Sequence, residues 1–237
     1  MRVNRRLFLA ILLFAYLISS SPFVFAQNTD NLKSEIYSKL RDRRCTTMTL
    51  EKCNCPDARE MKAYIDALLE AGVSKEEIFY KVAKKFSPNT ILDKQIKAQV
   101  EARLIKEAGG KRPQIVLEPS SINLGQVSKK QGKIGKIFKL YNKGTAKLII
   151  TNIKVSCSCV TTSLTVGKNK SPYFGTQGAS SGWQAIIEPG ASAELEVVVD
   201  LSHPAITVGK LFREITITTN DIINPEVTVK IEGEVKE

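Results

Sequence analysis

The spacing of apolar residues changes at residues 109–113, which read Gly-Gly-Lys-Arg-Pro, and this change limits what the chain can fold into. Before these residues, apolar side chains recur three and four positions apart, as in amphipathic helices. After them, apolar and polar side chains alternate, as in strands. Two glycines and a proline favour a break in regular structure. The sequence therefore predicts a multidomain α plus β protein, with an N-terminal three-to-four-helix domain followed by an antiparallel β-sandwich.

Four helices are expected in the first half. The helical patterns cover 31–43 with Asp30 as cap, a segment from Pro56 to Gly72, a segment opened by the Ser74–Glu77 capping box and closed by Pro88, and 90–108. From these patterns we predict a helical domain over 27–92, a helical arm and linker over 93–113, and a sandwich domain over 114–237.

Short strands are expected throughout the second half. Seven or more strands at this spacing indicate an antiparallel sandwich. Residues 165–182 are rich in Gly, Ser, Lys and Asn and lack a period, which predicts a long mobile loop with Trp183 packed where it returns. The predicted strands cover 115–118, 122–127, 136–142, 148–155, the segment around Cys157, 193–201, 212–219 and 227–235.

Residues 1–26 predict a cleavable export signal. Three arginines precede an apolar run from Leu7 to Ile18, and Val24-Phe25-Ala26 fits the site at which such signals are cut. The run is shorter than the roughly 20 residues that a membrane-spanning helix needs. We therefore expect a periplasmic or otherwise extracytoplasmic protein, in a compartment where disulfides form and persist.

The charge of the chain restricts its partners. The formal net charge is +11, or +8 without the three arginines of the signal, and the basic residues are mixed with acidic ones. An exported chain without a surface of alternating basic and aromatic residues is not expected to bind nucleic acid. The positive charge allows peripheral association with anionic membranes or binding to an acidic partner.

Three of the five cysteines, Cys45, Cys53 and Cys55, lie within eleven residues. Neighbouring arginines, among them Arg44, favour the thiolate of Cys45, whereas the end of a helix disfavours it. Cys53 and Cys55 directly precede the helix that begins at Pro56, and a helix N-terminus lowers the pKa of a thiol. Three interpretations stay open: redox chemistry, a structural disulfide from Cys45 to Cys53 or Cys55, or a metal site.

The second pair, Cys157 and Cys159, is predicted on a strand, where residues two apart face the same side. Such a pair either forms a disulfide in a small, strained ring, chelates Cu(I) or Zn(II), or has a structural role only. Four thiolates from the two C-x-C pairs would complete a soft metal site if the domains met. With one cysteine left over, the sequence does not determine the pairing.

The first half resembles the N-terminal domain of the CcmH/CycL/NrfF family. The resemblance lies in Arg44-Cys45, Thr49-Leu50, Cys53-Asn54-Cys55, Glu60-Met61 and residues 71–78. That family comprises extracytoplasmic three-helix proteins of cytochrome c maturation, in which a Leu-Arg-Cys-x-x-Cys motif acts on the C-x-x-C-H thiols of apocytochrome c. Here Met48 occupies the position of the second cysteine, and the resemblance implies that Cys53 and Cys55 take its place.

The second half resembles a bacterial Ig-like domain family of unknown function related to ASH/HYDIN-type sandwiches. The resemblance implies an Ig-like fold and no particular activity. The family's motifs are found at 124–127, 138–144, 148–150, 155–159, 188–190 and 219–221.

Together these patterns predict an exported thiol–disulfide or haem-handling factor that acts on or holds apocytochrome c thiols. Cys45, Cys53 and Cys55 would be catalytic and Arg44 would orient or activate them, with Cys157 and Cys159 as a second thiol pair. The expected partner is apocytochrome c or a cytochrome c maturation complex. No tightly bound cofactor is expected, and haem would enter with the client. The alternative is a non-enzymatic binding or scaffold protein with structural cysteines or a copper or zinc site.

Overall fold

The computed structural model describes residues 22–42 and 47–237, with side chains from residue 30 onward. Most of the predicted signal, together with Arg44 and Cys45, lies outside these residues. The described chain contains four helices followed by ten strands, which confirms the α plus β prediction. It forms two compact units: the described residues up to Phe86 with Thr90–Lys97, and Ser87–Asn89 with Ala98–Glu237. Within this part of the chain, no helix has the length and apolar character needed to cross a membrane.

Three of the four helices pack pairwise in the first unit. Their contact surfaces are the predicted apolar stripes, and Ile36, Ile65 and Ile78 are each fully buried. The hydroxyl of Ser74 accepts a hydrogen bond from the amide of Glu77 at 3.4 Å, as a capping box requires. The helices are α1 (Pro22–Ser38), α2 (Pro56–Glu70), α3 (Lys75–Phe86) and α4 (Lys94–Glu107).

Helix α1 ends at Ser38, well before the predicted end at residue 43. Leu40 and Ile91 form an isolated antiparallel bridge, and the amide of Arg41 donates to the carbonyl oxygen of Thr90 at 2.9 Å. A backbone group that bonds to a distant segment cannot also continue the helix. The helix also begins before Asp30, so Asp30 lies inside α1 and is not its cap.

The same pairing explains why α4 begins at Lys94 and not at residue 90. Thr90 is the last residue of a 3-10 turn, Ile91 and Leu92 then pair with Leu40 and Lys39, and the helix starts only after them. The carboxylate of Asp93 then accepts hydrogen bonds from the amides of Gln95 and Ile96 at 3.0 and 3.1 Å. Asp93 thereby satisfies two of the backbone donors that a helix start leaves without partners.

The second unit is a sandwich of two five-stranded sheets, with orders β1-β3-β8-β5-β6 and β2-β10-β9-β4-β7. Side chains alternate between the core and the surface as predicted: Phe138 and Leu140 are fully buried, while Lys139 is exposed. The strands are β1 (Ile115–Glu118), β2 (Ser121–Ser128), β3 (Lys133–Asn142), β4 (Leu148–Val155), β5 (Val160–Val166), β6 (Asn169–Lys170), β7 (Ala185–Ile187), β8 (Ser192–Asp200), β9 (Gly209–Thr219) and β10 (Glu226–Lys236).

The sandwich is not wholly antiparallel, which corrects the prediction. Strand β2 pairs with β10 in parallel, with Ile122 opposite Ile231 and Val127 opposite Val235. The cause is the crossing of the chain between sheets after β1. Because β1 and β2 belong to different sheets, β2 is not a hairpin partner of β1 and instead lies beside the last strand, running in the same direction.

Residues 165–182 are irregular only in part, which corrects the prediction of a loop throughout. Thr165 pairs with Lys170 in a β5–β6 hairpin, and Phe174 is buried and forms a bridge with Thr162. The predicted packing of Trp183 is confirmed, because its ring meets that of Phe174 edge-on at 4.7 Å between centroids and lies against the sandwich core. A polar composition concealed the aromatic contacts that fix this segment.

The Asn-Lys-Gly motif at 142–144 is structural. The side chain of Asn142 is fully buried. Its carbonyl oxygen accepts from the amide of Gly144 at 3.0 Å, and its amide group donates to the carbonyl oxygens of Ala146 and Ile187 at 2.8 and 2.9 Å. A side chain at position 144 would collide with the backbone of residues 112–114. The motif therefore fixes the turn after β3 and has no need of a functional explanation.

Candidate functional site

The thiols of Cys53 and Cys55 lie side by side where the chain enters α2. Neither sulfur is in a disulfide; Cys53 is buried and Cys55 is half-buried. The turn before them is held by backbone bonds from the amide of Cys53 to the oxygen of Thr49 at 3.2 Å and from the amide of Leu50 to the oxygen of Leu40 at 2.7 Å. Because both anchors are backbone groups, the C-x-C segment has a defined position on the helical unit.

Cys55 is the N-cap of α2. Its sulfur accepts a hydrogen bond from the amide of Ala58 at 3.3 Å, and Pro56 is the first helical residue. Proline is favourable there because the first helical amide has no acceptor within the helix. The predicted helix start at Pro56 is thus confirmed, and the Cys55 sulfur faces the positive end of the helix dipole.

Asp42 completes the site, and sequence reasoning missed it. One carboxylate oxygen, Oδ2, accepts from the Cys53 thiol at 3.1 Å and from the Cys55 thiol at 3.4 Å. Asp42 is 1% exposed. In the sequence it stands in a run of arginines, which favoured a solvated surface segment. The sequence showed only that one acidic residue stands shortly before the cysteines. The bridge between Leu40 and Ile91 fixes the backbone next to Asp42, whose side chain is buried.

The pKa of the Cys55 thiol is raised, contrary to the prediction for a thiol at a helix start. The amide of Ala58 is the largest single influence and lowers this pKa, but burial, the hydrogen bond with Cys53 and the carboxylate of Asp42 together outweigh it. A thiolate next to a buried carboxylate is disfavoured by like charge. The raised pKa favours the protonated Cys55 thiol, and Asp42 Oδ2 lies within hydrogen-bond distance of both sulfurs.

Replacing Asp42 by asparagine should lower the pKa of Cys55. The change removes a negative charge that disfavours the thiolate, while the amide of Ala58 continues to favour it. The rate of Cys55 alkylation by iodoacetamide, measured against pH and mapped by mass spectrometry, should reach its midpoint at lower pH. Glu60→Gln is the matched control, because Glu60 lies on the same helix and pairs with Lys85 instead. An alkaline shift, or none, for Asp42→Asn would contradict this electrostatic account.

Lys62 holds the C-x-C segment against α2. Its ammonium group donates to the carbonyl oxygen of Cys53 at 2.8 Å, to that of Glu51 at 3.3 Å and to the side-chain oxygen of Asn54 at 3.3 Å. Two turns of helix separate Lys62 from Cys55, so the helix itself supplies this clamp. The contact makes Lys62 a positioning residue that the sequence did not reveal.

The same three side chains form a set of metal donors. One ligand atom each from Asp42, Cys53 and Cys55 lies within 4.8 Å of the other two. Two sulfurs and one carboxylate oxygen suit Zn(II), for which structural sites have four ligands. Among the described residues the set has three members, and Cys45, the nearest further cysteine in the sequence, lies outside them.

Cys157 and Cys159 form a disulfide. The pair lies in the turn between β4 and β5 and not on a strand, so the predicted location was wrong. Cys157 is half-buried and Cys159 is 1% exposed. Because both sulfurs are bonded to each other, this pair does not offer the two thiolates of the four-sulfur metal site that the sequence allowed.

Comparisons with known proteins identify the fold of the second half. The protein-family model described as "HYDIN/CFA65/VesB-like, Ig-like domain" matches residues 113–234, as expected from the Ig-like motifs. A search of curated proteins gives no match.

Three solved structures are similar in fold. A protein of unknown function from Porphyromonas gingivalis W83 has 16% identity and a TM-score of 0.38, over 52% of this chain and 47% of that one. The human CEP192 ASH/PapD-like domain has 10% identity and a TM-score of 0.33, over 53% and 87%. The secreted serine protease VesC from Vibrio cholerae has 12% identity and a TM-score of 0.34, over 55% and 24%. The match thus spans about half of the first protein and a quarter of the third, and these likenesses carry no information on activity.

Proposed function

The chain belongs, through residues 113–234, to the HYDIN/CFA65/VesB-like Ig-like domain family, and we propose that its helical half makes it an exported thiol–disulfide exchange factor that acts on apocytochrome c. The observation that carries the proposal is the Cys53–Cys55 pair bonded to one buried carboxylate oxygen of Asp42. Two thiols on one proton acceptor, with one sulfur at a helix start, are suited to exchange chemistry.

Burial assigns the two sulfurs different roles. The half-buried Cys55 attacks a client disulfide as the thiolate, forming a mixed disulfide and releasing one client sulfur as a thiolate. The buried Cys53 then attacks Cys55, so that a Cys53–Cys55 disulfide forms and the second client sulfur leaves. The chain loses two electrons and two protons, and the client disulfide gains both. The reverse sequence oxidises a client dithiol.

Asp42 provides the proton acceptor for both steps. Its Oδ2 atom accepts from each thiol, so each sulfur has a proton acceptor directly beside it. The Ala58 amide stabilises the Cys55 thiolate formed in the first step. Lys62 keeps the carbonyl end of Cys53 in place while the sulfur moves.

The client is inferred from the resemblance of the helical half to the CcmH/CycL/NrfF family. By that resemblance the substrate is the C-x-x-C-H segment of apocytochrome c, outside the cytoplasm, and haem enters only as part of the client. Arg44 and Cys45 carry the family's Arg-Cys motif, with Cys45 as a further resolving thiol. The Ig-like domain would hold the client, the maturation complex or a membrane surface.

The test uses the reduced protein and an oxidised peptide containing C-x-x-C-H. One peptide disulfide should be reduced per chain, and tryptic mapping after alkylation should locate a new Cys53–Cys55 disulfide. A peptide with the two cysteines further apart controls for general reactivity and should react more slowly. The proposal fails if Cys53 and Cys55 remain thiols while the peptide stays oxidised, or if reduced glutathione reacts with the peptide at the same rate.

The second candidate is a non-enzymatic binding or scaffold protein with a zinc or copper site. The observation that favours it is the donor set of Asp42, Cys53 and Cys55 within 4.8 Å. A metal bound there would hold both thiolates and block exchange. Elemental analysis of protein purified without chelators separates the candidates, because one zinc or copper per chain that is lost in the Asp42→Ala variant supports the metal site and counts against exchange.

A further inference from the structure

One residue of the Cys157–Cys159 disulfide, Cys157, lines a surface cleft. The cleft has a volume of about 670 Å³, and Cys157 lines it together with Thr176, Phe212, Arg213 and Glu214. Cys159 does not line the cleft and is 1% exposed. A thiol that enters the cleft therefore meets Cys157 first, and the bond that it breaks leaves the charge on Cys159.

Arg213 is positioned at the buried sulfur. Its Nε atom donates to Cys159 Sγ at 3.0 Å. The two other nitrogens of the guanidinium are held by the carbonyl oxygens of Phe212 at 2.8 Å and Ala205 at 3.3 Å. A positive hydrogen-bond donor fixed in this way stabilises a thiolate more than a neutral disulfide sulfur, because the bond becomes charge-assisted on both sides.

The turn is held by backbone bonds as well as by one bond to a sulfur, from the amide of Cys159 to Cys157 Sγ at 3.2 Å. The amide of Val160 donates to the carbonyl oxygen of Cys157 at 3.0 Å, and the amide of Asp200 donates to that of Cys159 at 2.9 Å. On the other side of the pair, the amide of Ser156 donates to the oxygen of Glu214 at 2.9 Å. The disulfide can therefore open and close without loss of these strand-end contacts.

The cleft wall is suited to an uncharged, partly apolar donor. Phe212 is 47% exposed, and Arg213 and Glu214 place one charge of each sign on the wall. Such a wall neither attracts nor repels a strongly charged chain, while the Phe212 ring offers apolar contact. A short segment that carries two thiols fits this chemistry.

We propose that Cys157–Cys159 is a second thiol-exchange site, reduced by a dithiol donor at Cys157 with Cys159 as the leaving sulfur. A donor thiolate attacks Cys157, the S–S bond breaks, and its electron pair stays on Cys159 beside Arg213. The donor's second thiol then attacks its own sulfur in the mixed disulfide, which forms the donor disulfide and releases Cys157. The chain gains two electrons and two protons, and the donor loses them. This site does not depend on the function proposed for Cys53 and Cys55.

The experiment uses the full chain with Cys45, Cys53 and Cys55 changed to serine, so that failure here is separate from failure of the first site. Dithiothreitol is the dithiol probe, and the thiols of 157 and 159 are counted by timed alkylation. Reduction should be complete under native conditions, and Arg213→Gln should slow it at least about tenfold, since a hydrogen bond to a charged group is lost. Lys210→Gln removes an exposed positive charge from the same strand, β9, without touching the cleft lining, and should not slow it.

A second measurement holds even if the Arg213 variant folds poorly. The chain with the three serine substitutions and an intact Arg213 is mixed with glutathione and quenched rapidly with acid. Peptide mapping by mass spectrometry should then find the glutathione adduct on Cys157. Three results would overturn the proposal. They are reduction only at the rate of global unfolding, a glutathione adduct on Cys159, and an Arg213→Gln variant that folds but is reduced as fast as the chain that keeps Arg213.

Discussion

Replacing Cys53 by serine, in a chain that also carries Cys45→Ser, is expected to stop the exchange reaction after its first step. Cys55 can still attack a client disulfide, because it is half-buried and accepts from the amide of Ala58. The sulfur that would resolve the mixed disulfide is then missing, since Cys53 is the neighbour that shares the Asp42 oxygen. A covalent complex of one peptide per chain should accumulate, visible on a non-reducing gel, and peptide reduction should fall to the uncatalysed level.

Cys55→Ser is the matched variant and should form no complex on the helical unit. It keeps the size and polarity of the side chain at the N-cap position, where serine is a favoured residue, so α2 should remain intact. The single Cys53→Ser variant tests the further resolving role of Cys45, because it should still reduce the peptide faster than the Cys45→Ser/Cys53→Ser double variant. Continued peptide reduction by the double variant, or a complex located on Cys53 in the Cys55→Ser variant, would contradict the assigned order of attack.

Replacing Asp221 by alanine should lower the free energy of unfolding of the sandwich by about 3 kcal/mol or more. Its carboxylate is fully buried and accepts from the amides of Ile115 and Ile223, each at 3.0 Å. The guanidinium of Arg112 lies 3.3 Å from the same carboxylate. The variant leaves two buried amides without their acceptor and one arginine without its partner. Urea unfolding followed by circular dichroism measures the loss.

Two controls separate this network from a general loss of charge. Asp221→Asn keeps an acceptor oxygen and should be less destabilising than alanine. Glu188→Ala breaks an exposed pair with Lys147 and should change stability by only about 0.5 kcal/mol, because exposed ion pairs contribute little. If Asp221→Ala unfolds at the same urea concentration as Glu188→Ala, the buried network does not stabilise the sandwich.

Local sequence patterns were sufficient to predict the structure wherever it depends on residues that are neighbours in the sequence. Proline at position 56 predicted the start of α2, and this was confirmed. The alternation of Phe138, Lys139 and Leu140 predicted which side of β3 is buried. In both cases the period of the backbone fixes which side chains share a face, so no distant contact is needed for the inference.

The predictions that were wrong depend on contacts between distant segments. The end of α1 follows from the bridge between Leu40 and Ile91, which are 51 positions apart in the sequence. The order in residues 165–182 follows from Phe174 and Trp183 packing against the sandwich. The parallel pairing of β2 with β10 joins opposite ends of the domain. A local pattern contains no information on such partners.

The sequence by itself determined the fold class, the helix start at Pro56 and the identity of the sulfur-bearing residues. Only the tertiary structure decided what stands beside each sulfur. Asp42 reaches Cys53 and Cys55 from 11 and 13 positions away, and Arg213 reaches Cys159 from 54 positions away. The physical reason is that the reactivity of a thiol depends on charges within a few ångströms. Chain folding, not spacing in the sequence, brings those charges to the sulfurs.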